Sequence, residues 1–276
     1  GGPAVTYWGF LLRFIVVPIV LLGIVAWNDA RRRGELPAHL GGAPAWAIIT
    51  VHVVVAVAYT TPWDNFLVAT GVWWYDEGLV SGPTIGWVPI EEYAFFVLQS
   101  VLVGLLLLAL ARRVAPDPRP VEHYRGIRVG LTAALAAVWV LFVALLLSRW
   151  EAITYLAIQM AWALPPLIIQ AAFGGDILWR NRRLVGITIA IATLYLAATD
   201  GLAIDGGTWT IDPAQSLHIL LAGILPLEEF TFFMITSVLL AFGMTLMLAR
   251  ETYARFPAGL RRRLPWRTVP AEGASS

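Results

Sequence analysis

The chain has 276 residues, 59% of them hydrophobic and 13% charged, with a formal net charge of +1 and a mean hydropathy of +0.73. That composition excludes an ordinary soluble domain and fits a membrane protein, and the balanced charge gives no case for a nucleic-acid partner. Cys is absent, which excludes disulfides and thiolate metal sites, and all nineteen residues counted as Lys or Arg are Arg.

The chain opens Gly-Gly-Pro without a Met, which suggests a trimmed or processed start. A membrane-spanning helix needs about 20 mostly apolar residues. Seven runs qualify: 7–27, 43–61, 88–111, 129–148, 153–173, 184–199 and 218–249. The first is too long for a signal-peptide core and has no Ala-x-Ala site after it. Arg13 within it is expected to snorkel outward or meet an acid. His52, midway along the second, reads as a packed side chain or a proton relay. Pro165-Pro166 are expected to kink the fifth run, the sixth is short, and Pro226 is expected to break the overlong seventh, which His218 opens.

Arginine sets the expected orientation. Arg31 to Arg33 follow the first run, five Arg lie between the third and fourth, three between the fifth and sixth, and six after the seventh, so every second connection is basic. The alternate connections hold Arg149 alone. The excess of Arg marks the inner side, which puts the N-terminus outside and the C-terminus in the cytoplasm. The tail from Arg250 reads as a membrane-surface anchor, with 268–276 expected to be disordered.

The two long non-basic connections are acidic and aromatic, and each runs into the same motif: Pro89-Ile-Glu91-Glu92-Tyr-Ala-Phe-Phe96 and Pro226-Leu-Glu228-Glu229-Phe-Thr-Phe-Phe233. At an offset of 136 residues Asp64 matches Asp200, Gly71 matches Gly207, Trp73 matches Trp209 and Asp76 matches Asp212; after one inserted residue the Pro-x-Glu-Glu copies align. The predicted fold is therefore an all-α polytopic membrane protein of seven transmembrane helices. It is read as two parallel three-helix repeats, 1–113 and 150–255, joined by a linker with the fourth helix at 114–149 and followed by a basic tail at 256–276. An odd linker helix gives both repeats the same orientation, so the pseudo-symmetry axis lies along the membrane normal.

Pro-x-Glu-Glu also describes a capped helix at an interface, because Pro suits the first helical position and acids suit the first turn. A single Glu would serve that purpose. The glutamates follow apolar sequence at 79–88 and 218–225, and a polar face continues below them through Glu92, Phe96 and Gln99, and through Glu229, Phe233 and Thr236. Intramembrane carboxyls point to a functional site. Adjacent carboxyls in an apolar surround resist ionising together, and a carboxyl that keeps its proton near neutral pH is a general acid. The same regions are rich in aromatic rings, whose faces stabilise a cation without trapping it; an interfacial aromatic belt would look similar.

With its seven runs, Pro62-Trp63-Asp64-Asn65, the two Pro-x-Glu-Glu copies and the parallel repeats, the chain resembles the lycopene cyclase domain family over about residues 5–250. These are integral-membrane carotenoid cyclases, found as two small subunits, as one fused chain, or joined to phytoene synthase in fungi. The resemblance implies cyclisation of the linear ends of lycopene to β-ionone rings. An acid protonates the terminal double bond, the C5=C6 bond attacks the C1 cation, and a base removes a proton from C6, with no net redox change. It implies no flavin; no Gly-x-Gly-x-x-Gly occurs, and neither a cofactor nor a metal is expected. The expected catalytic set is Glu91, Glu92, Glu228, Glu229, Asp64 and Asp200, with Asp64 also readable as a cap in a turn-like segment. The expected substrate contacts are Asn65, Trp63, Trp73, Trp87, Tyr93, Phe96, Gln99, Trp209, Phe230, Phe233 and Thr236. The first copy's Pro-Trp-Asp-Asn is Ala198-Thr199-Asp200-Gly201 in the second, so one shared site competes with two full ones. Expected partners are lycopene and related carotenoids, membrane lipid, and other enzymes of the carotenoid pathway, with a multi-pass location in a prokaryotic plasma membrane.

Other classes compete. A retinal-binding rhodopsin needs a Schiff-base lysine, which is absent. A proton-coupled transporter would use repeats and buried carboxyls, but the polar groups cluster at one end and the inner halves of the third and seventh runs are plain Leu, Val and Ala. A lipid or quinone binder leaves the paired glutamates unexplained. A carotenoid hydratase would protonate the same kind of double bond and let water capture the cation.

Overall fold

The structure, a computed structural model, describes residues 5–257 and residue 259. The expected basic anchor from Arg261 onward and the expected disorder at 268–276 lie outside the described residues. Among the described residues seven helices are long and apolar enough to cross a membrane: α1 (Tyr7–Arg33), α2 (Ala45–Ala69), α3 (Ile90–Ala111), α4 (Arg125–Leu147), α5 (Thr154–Arg180), α6 (Arg182–Asp205) and α7 (Leu227–Leu248). A short helix, α8 (Arg250–Ala254), follows. Such helices satisfy their own backbone hydrogen bonds, as a membrane interior demands, and the chain is a membrane protein.

The middle of the bundle is formed by α3 and α7, which touch each other. Helix α3 also packs on α1, α2 and α6, and α7 on α5, α6 and α2. Helix α4 packs on α5 at the periphery and buries none of its residues. At one end of the bundle lie six short strands: β1 (Trp73–Tyr75), β2 (Thr84–Ile85), β3 (Val88–Pro89), β4 (Trp209–Ile211), β5 (Leu220–Leu221) and β6 (Leu225–Pro226). The hairpins β2–β3 and β5–β6 feed directly into α3 and α7. Strands β1 and β4 pair antiparallel across the bundle, with Trp73 opposite Ile211, Trp74 opposite Thr210 and Tyr75 opposite Trp209. The opposite end carries the ion pairs: Arg113 with Asp29 at 2.6 Å, Arg182 with Asp117 at 2.8 Å, Arg255 with Asp176 at 2.6 Å, and Arg180 with Glu251. The Arg119 backbone N–H, then Arg182, lower the pKa of the half-buried Asp117 carboxyl to about 2.

Four expectations are corrected. Pro62-Trp63-Asp64-Asn65 is not a turn: α2 runs through it to Ala69, so Asp64 lies inside a helix and caps nothing. Thr61 Oγ1 donates to the Val57 carbonyl at 2.6 Å and Asn65 Nδ2 to the Thr61 carbonyl at 2.9 Å, turning local polar groups onto the helix itself. The sixth helix is not short, since it continues through Asp200 to Asp205. The segment 218–226 is not helical; Pro226 caps α7, as its expected break required, and His218 sits in the preceding loop with φ +58. A short apolar run reads alike as buried hairpin or helix end. In α5 the non-helical residue is Gly174, not the proline pair, and Leu246 occupies the space a side chain at Gly174 would need.

The prolines leave carbonyls without their usual donor, since the N–H four residues on is missing. Those freed by Pro18, Pro165 and Pro166 are met from another helix. Tyr195 OH donates to the Phe14 carbonyl opposite Pro18 at 2.9 Å, where α1 loosens into a π turn over Leu12–Val16. Trp139 Nε1 donates to the Ala161 carbonyl at 3.1 Å, and Tyr59 OH to the Trp162 carbonyl at 2.8 Å, serving Pro165 and Pro166. Tyr195→Phe should therefore lower stability by about 1–2 kcal/mol, the cost of stranding a carbonyl. Thermal unfolding in detergent measures this, and an unchanged midpoint would mean the carbonyl finds another partner.

Candidate active site

Neighbouring residues on a helix do not face the same way, and the doubled glutamates exploit this. Glu91 turns back toward the hairpin, where its Oε1 accepts the Ser81 backbone N–H at 2.6 Å. Glu228 does the same for the Leu217 N–H at 2.7 Å. Both are fully buried, and each has a second oxygen with no partner. Glu92 and Glu229 turn instead into the bundle. Tyr7 OH donates to Glu92 Oε2 at 2.5 Å, and Tyr75 OH to the same oxygen at 3.1 Å. Tyr155 OH donates to Glu229 Oε1 at 2.6 Å.

Asp64 from α2 and Asp200 from α6 face the same space, so four carboxyl groups line one cavity of about 50 Å³, room for a few waters. Trp209 Nε1 donates to Asp200 Oδ1 at 3.1 Å. Asp64 has no such donor, since the equivalent Trp73 Nε1 points to Tyr75 OH at 3.3 Å, and both Asp64 oxygens are buried without a partner. Among the described residues no basic side chain lines the cavity. Without a counter-cation four clustered carboxyls cannot all ionise, so the cavity holds protons. Burial above all, with Asp64 and Glu92 beside it, pushes the Tyr75 phenol well above its ordinary value, which keeps it a donor.

The walls are aromatic. Trp63 meets Trp73 edge-on at 5.6 Å and stacks on Phe232 at 5.8 Å, while Phe10, Phe95, Phe233 and Trp209 complete the enclosure. Of the expected substrate contacts, Trp63, Trp73, Trp209 and Phe233 line this cavity. Several expected contacts lie elsewhere. Trp87 is 67% exposed at the hairpin tip. Asn65 braces that hairpin, accepting the Trp87 N–H at 2.8 Å and donating to Tyr93 OH at 2.9 Å, and Tyr93 in turn donates to the Ile85 carbonyl. Phe230 packs at the edge of the aromatic cluster without lining the cavity. Phe96, Gln99 and Thr236 line a separate, deeper chamber, in which Gln99 Nε2 donates to Thr236 Oγ1 at 2.9 Å. Arg13 is exposed on the bundle surface.

Tyr7, Tyr155 and Phe10 escaped the sequence reading. Tyr7 and Tyr155 stand at the heads of the first and fifth helices, each hydrogen-bonded to the second Glu of one motif, but they lie 148 residues apart and so do not match at the 136-residue offset.

The chain is 36% identical over 244 residues to a protein named lycopene beta-cyclase in two strains of Halobacterium salinarum, covering 87% of this chain and 95% of that protein. It is 32% identical over 202 residues to the bifunctional lycopene cyclase/phytoene synthase of Podospora anserina, covering 70% of this chain and 33% of that one. No family model matches the chain. No solved structure matches it.

Proposed function

The chain belongs to the membrane lycopene cyclase family and is a carotenoid cyclase, and we propose that its four-carboxyl cavity closes the linear ends of lycopene into β-ionone rings. The observation that carries this reading is a set of buried carboxyls with unequal partners inside one aromatic enclosure. Asp64, which no donor holds as an anion, is the acid: it protonates C2 of the terminal double bond and leaves the cation at C1. The ring faces of Trp63, Trp73 and Phe232 stabilise the cation. The C5=C6 electrons then form the C1–C6 bond and move the cation to C5. Glu92, whose carboxylate two phenols stabilise, takes the C6 proton, and the C5=C6 bond re-forms. One proton enters and one leaves, so the reaction is redox-neutral, and proton sharing among the carboxyls resets the site. Glu229 with Tyr155 and Asp200 with Trp209 hold the remaining protons and the electrostatic balance.

The same reading covers the architecture. Residues 1–113 and 150–255 are two parallel repeats around one shared site, with 114–149 as the linker. Tyr7 with Glu92 and Tyr155 with Glu229, Tyr59 and Tyr195 on their proline-freed carbonyls, and the self-matching β1–β4 register support it. The arginine-rich end is cytoplasmic, the cavity end faces outward, and the membrane is a prokaryotic plasma membrane. Substrates are lycopene and related linear carotenoids drawn from lipid, supplied by other enzymes of the carotenoid pathway.

Expression in a bacterium that accumulates lycopene, followed by separation of the extracted pigments, tests the reading. Conversion to γ- or β-carotene is the expected result. Unchanged lycopene with the protein present in the membrane would overturn it, and a hydroxylated product would mean that water, not the C5=C6 bond, captures the cation.

A further inference from the structure

A second chamber of about 160 Å³, some three times the free space of the first, lies between α2 and α5. The two are neighbours: Phe232 forms part of both walls, and Trp63 of the first stacks on Trp162 of the second at 4.4 Å. The second chamber follows α2 away from the carboxyls. From Asp64 to His52 is twelve residues of helix, about 18 Å. Most of its polar residues donate to the protein. His52 Nδ1 lies 2.7 Å from the Ile48 carbonyl, and Gln170 Nε2 donates to the Leu239 carbonyl at 3.1 Å. Gln170 Oε1 is buried without a partner among the described residues, and the rest of the lining offers a polar ligand little.

Further along α2 the packed core closes the way, with Ile48, Val103 and Met244 buried together. The side toward lipid differs. Val55 and Tyr59 line the chamber and are 56% and 41% exposed. Across this gap the Tyr59 and Trp162 rings stack at 5.5 Å, and Tyr59 OH holds the Trp162 carbonyl that Pro166 frees. Trp162 Nε1 donates back to the Tyr59 carbonyl at 3.4 Å, so the clasp across the slot is a reciprocal pair of side-chain hydrogen bonds beside the Trp63–Trp162 stack.

We propose that the second chamber is the slot for the conjugated polyene chain of the substrate, which enters sideways from lipid between α2 and α5 at the Tyr59–Trp162 clasp. This rests on the cyclase reading above. A flat hydrocarbon rod matches a long aromatic and aliphatic chamber most of whose donors are already used, and the shared wall at Phe232 delivers the reacting end to the carboxyls. The slot stops at the core, so the far end of a linear carotenoid stays in lipid and only one end reacts at a time.

The test uses the full chain in lipid nanodiscs, with lycopene and with a shortened acyclic apocarotenal that carries the same reacting end but too little polyene to fill the slot. Ala56→Trp fills the chamber from α2; Val55→Trp narrows its exposed mouth and serves if the first variant fails to insert. For wild type, the short substrate should show a KM about tenfold above that of lycopene with a similar kcat, the pattern of lost uniform binding. Either Trp variant should raise the lycopene KM by about tenfold while leaving the short substrate within about twofold. Equal KM values for both substrates in wild type, or equal losses for both in the variants, would overturn the slot. Failure of wild type to cyclise either substrate would instead strike the cyclase reading on which the slot depends.

Discussion

Glu92→Gln is expected to cut the rate of ring formation about 100-fold or more, the usual range for losing a positioned acid or base, and Glu229→Gln, which alters only the site's proton and charge balance, by less. The substitution keeps the shape and still accepts the phenol hydrogen bonds of Tyr7, Tyr75 and Tyr155. Folding is thereby preserved, so the loss reports proton transfer. Glu91→Gln and Glu228→Gln should behave differently. Their carboxyls hold the backbone N–H groups of Ser81 and Leu217, and weakening a buried hydrogen bond of that kind costs about 0.5–1.5 kcal/mol. Their thermal midpoints should fall, with turnover reduced mainly as the folded fraction falls. Initial rates by pigment separation and unfolding in detergent measure both quantities on each variant. A Glu91→Gln protein of normal stability that is as inactive as Glu92→Gln would remove the division of labour. On this account the motif is doubled because adjacent helical positions serve two places: one fixes the hairpin that starts the helix, and the next faces the chemistry.

The sequence made the spans legible because membrane helices announce themselves by length and hydropathy, and all seven helices are found close to where they were expected. It misread Pro62–Asn65 and the approach to Pro226 because both are decided by context. Thr61 and Asn65 bond back onto their own helix, which keeps Pro62 inside α2, while Leu220–Pro226, apolar enough for a helix, pairs as a hairpin. The four carboxyls, Trp63, Trp73, Trp209 and Phe233 were legible as chemistry-bearing residues from the duplicated motif, and the structure brings them to one cavity. The separation of Glu91 from Glu92, and of Glu228 from Glu229, was not legible, since it depends on which side chain meets a backbone N–H from a loop ten or eleven residues earlier. Tyr7 and Tyr155 were hidden for a related reason: each reaches its Glu across tens of residues, and neither stands near a Pro-x-Glu-Glu.

Asp64→Leu is the sharper test of how the proton is delivered. A buried carboxyl with two unpartnered oxygens is a liability to the fold, and an apolar side chain of similar size removes it without opening a cavity. The thermal midpoint should therefore hold or rise while ring formation drops about 100-fold or more. The pseudo-equivalent Asp200→Leu should instead lose about 1 kcal/mol, because Trp209 Nε1 forfeits its acceptor. Opposite signs at two matching positions are a demanding expectation, and a general packing defect does not produce them. If Asp64→Leu retains its rate, the acid lies among Glu92, Glu229 and Asp200, and the assignment of Asp64 fails. If it gains stability and loses turnover, the poorly satisfied carboxyl is kept for its chemistry: the same lack of donors that makes Asp64 costly to bury is what leaves its proton available to an alkene.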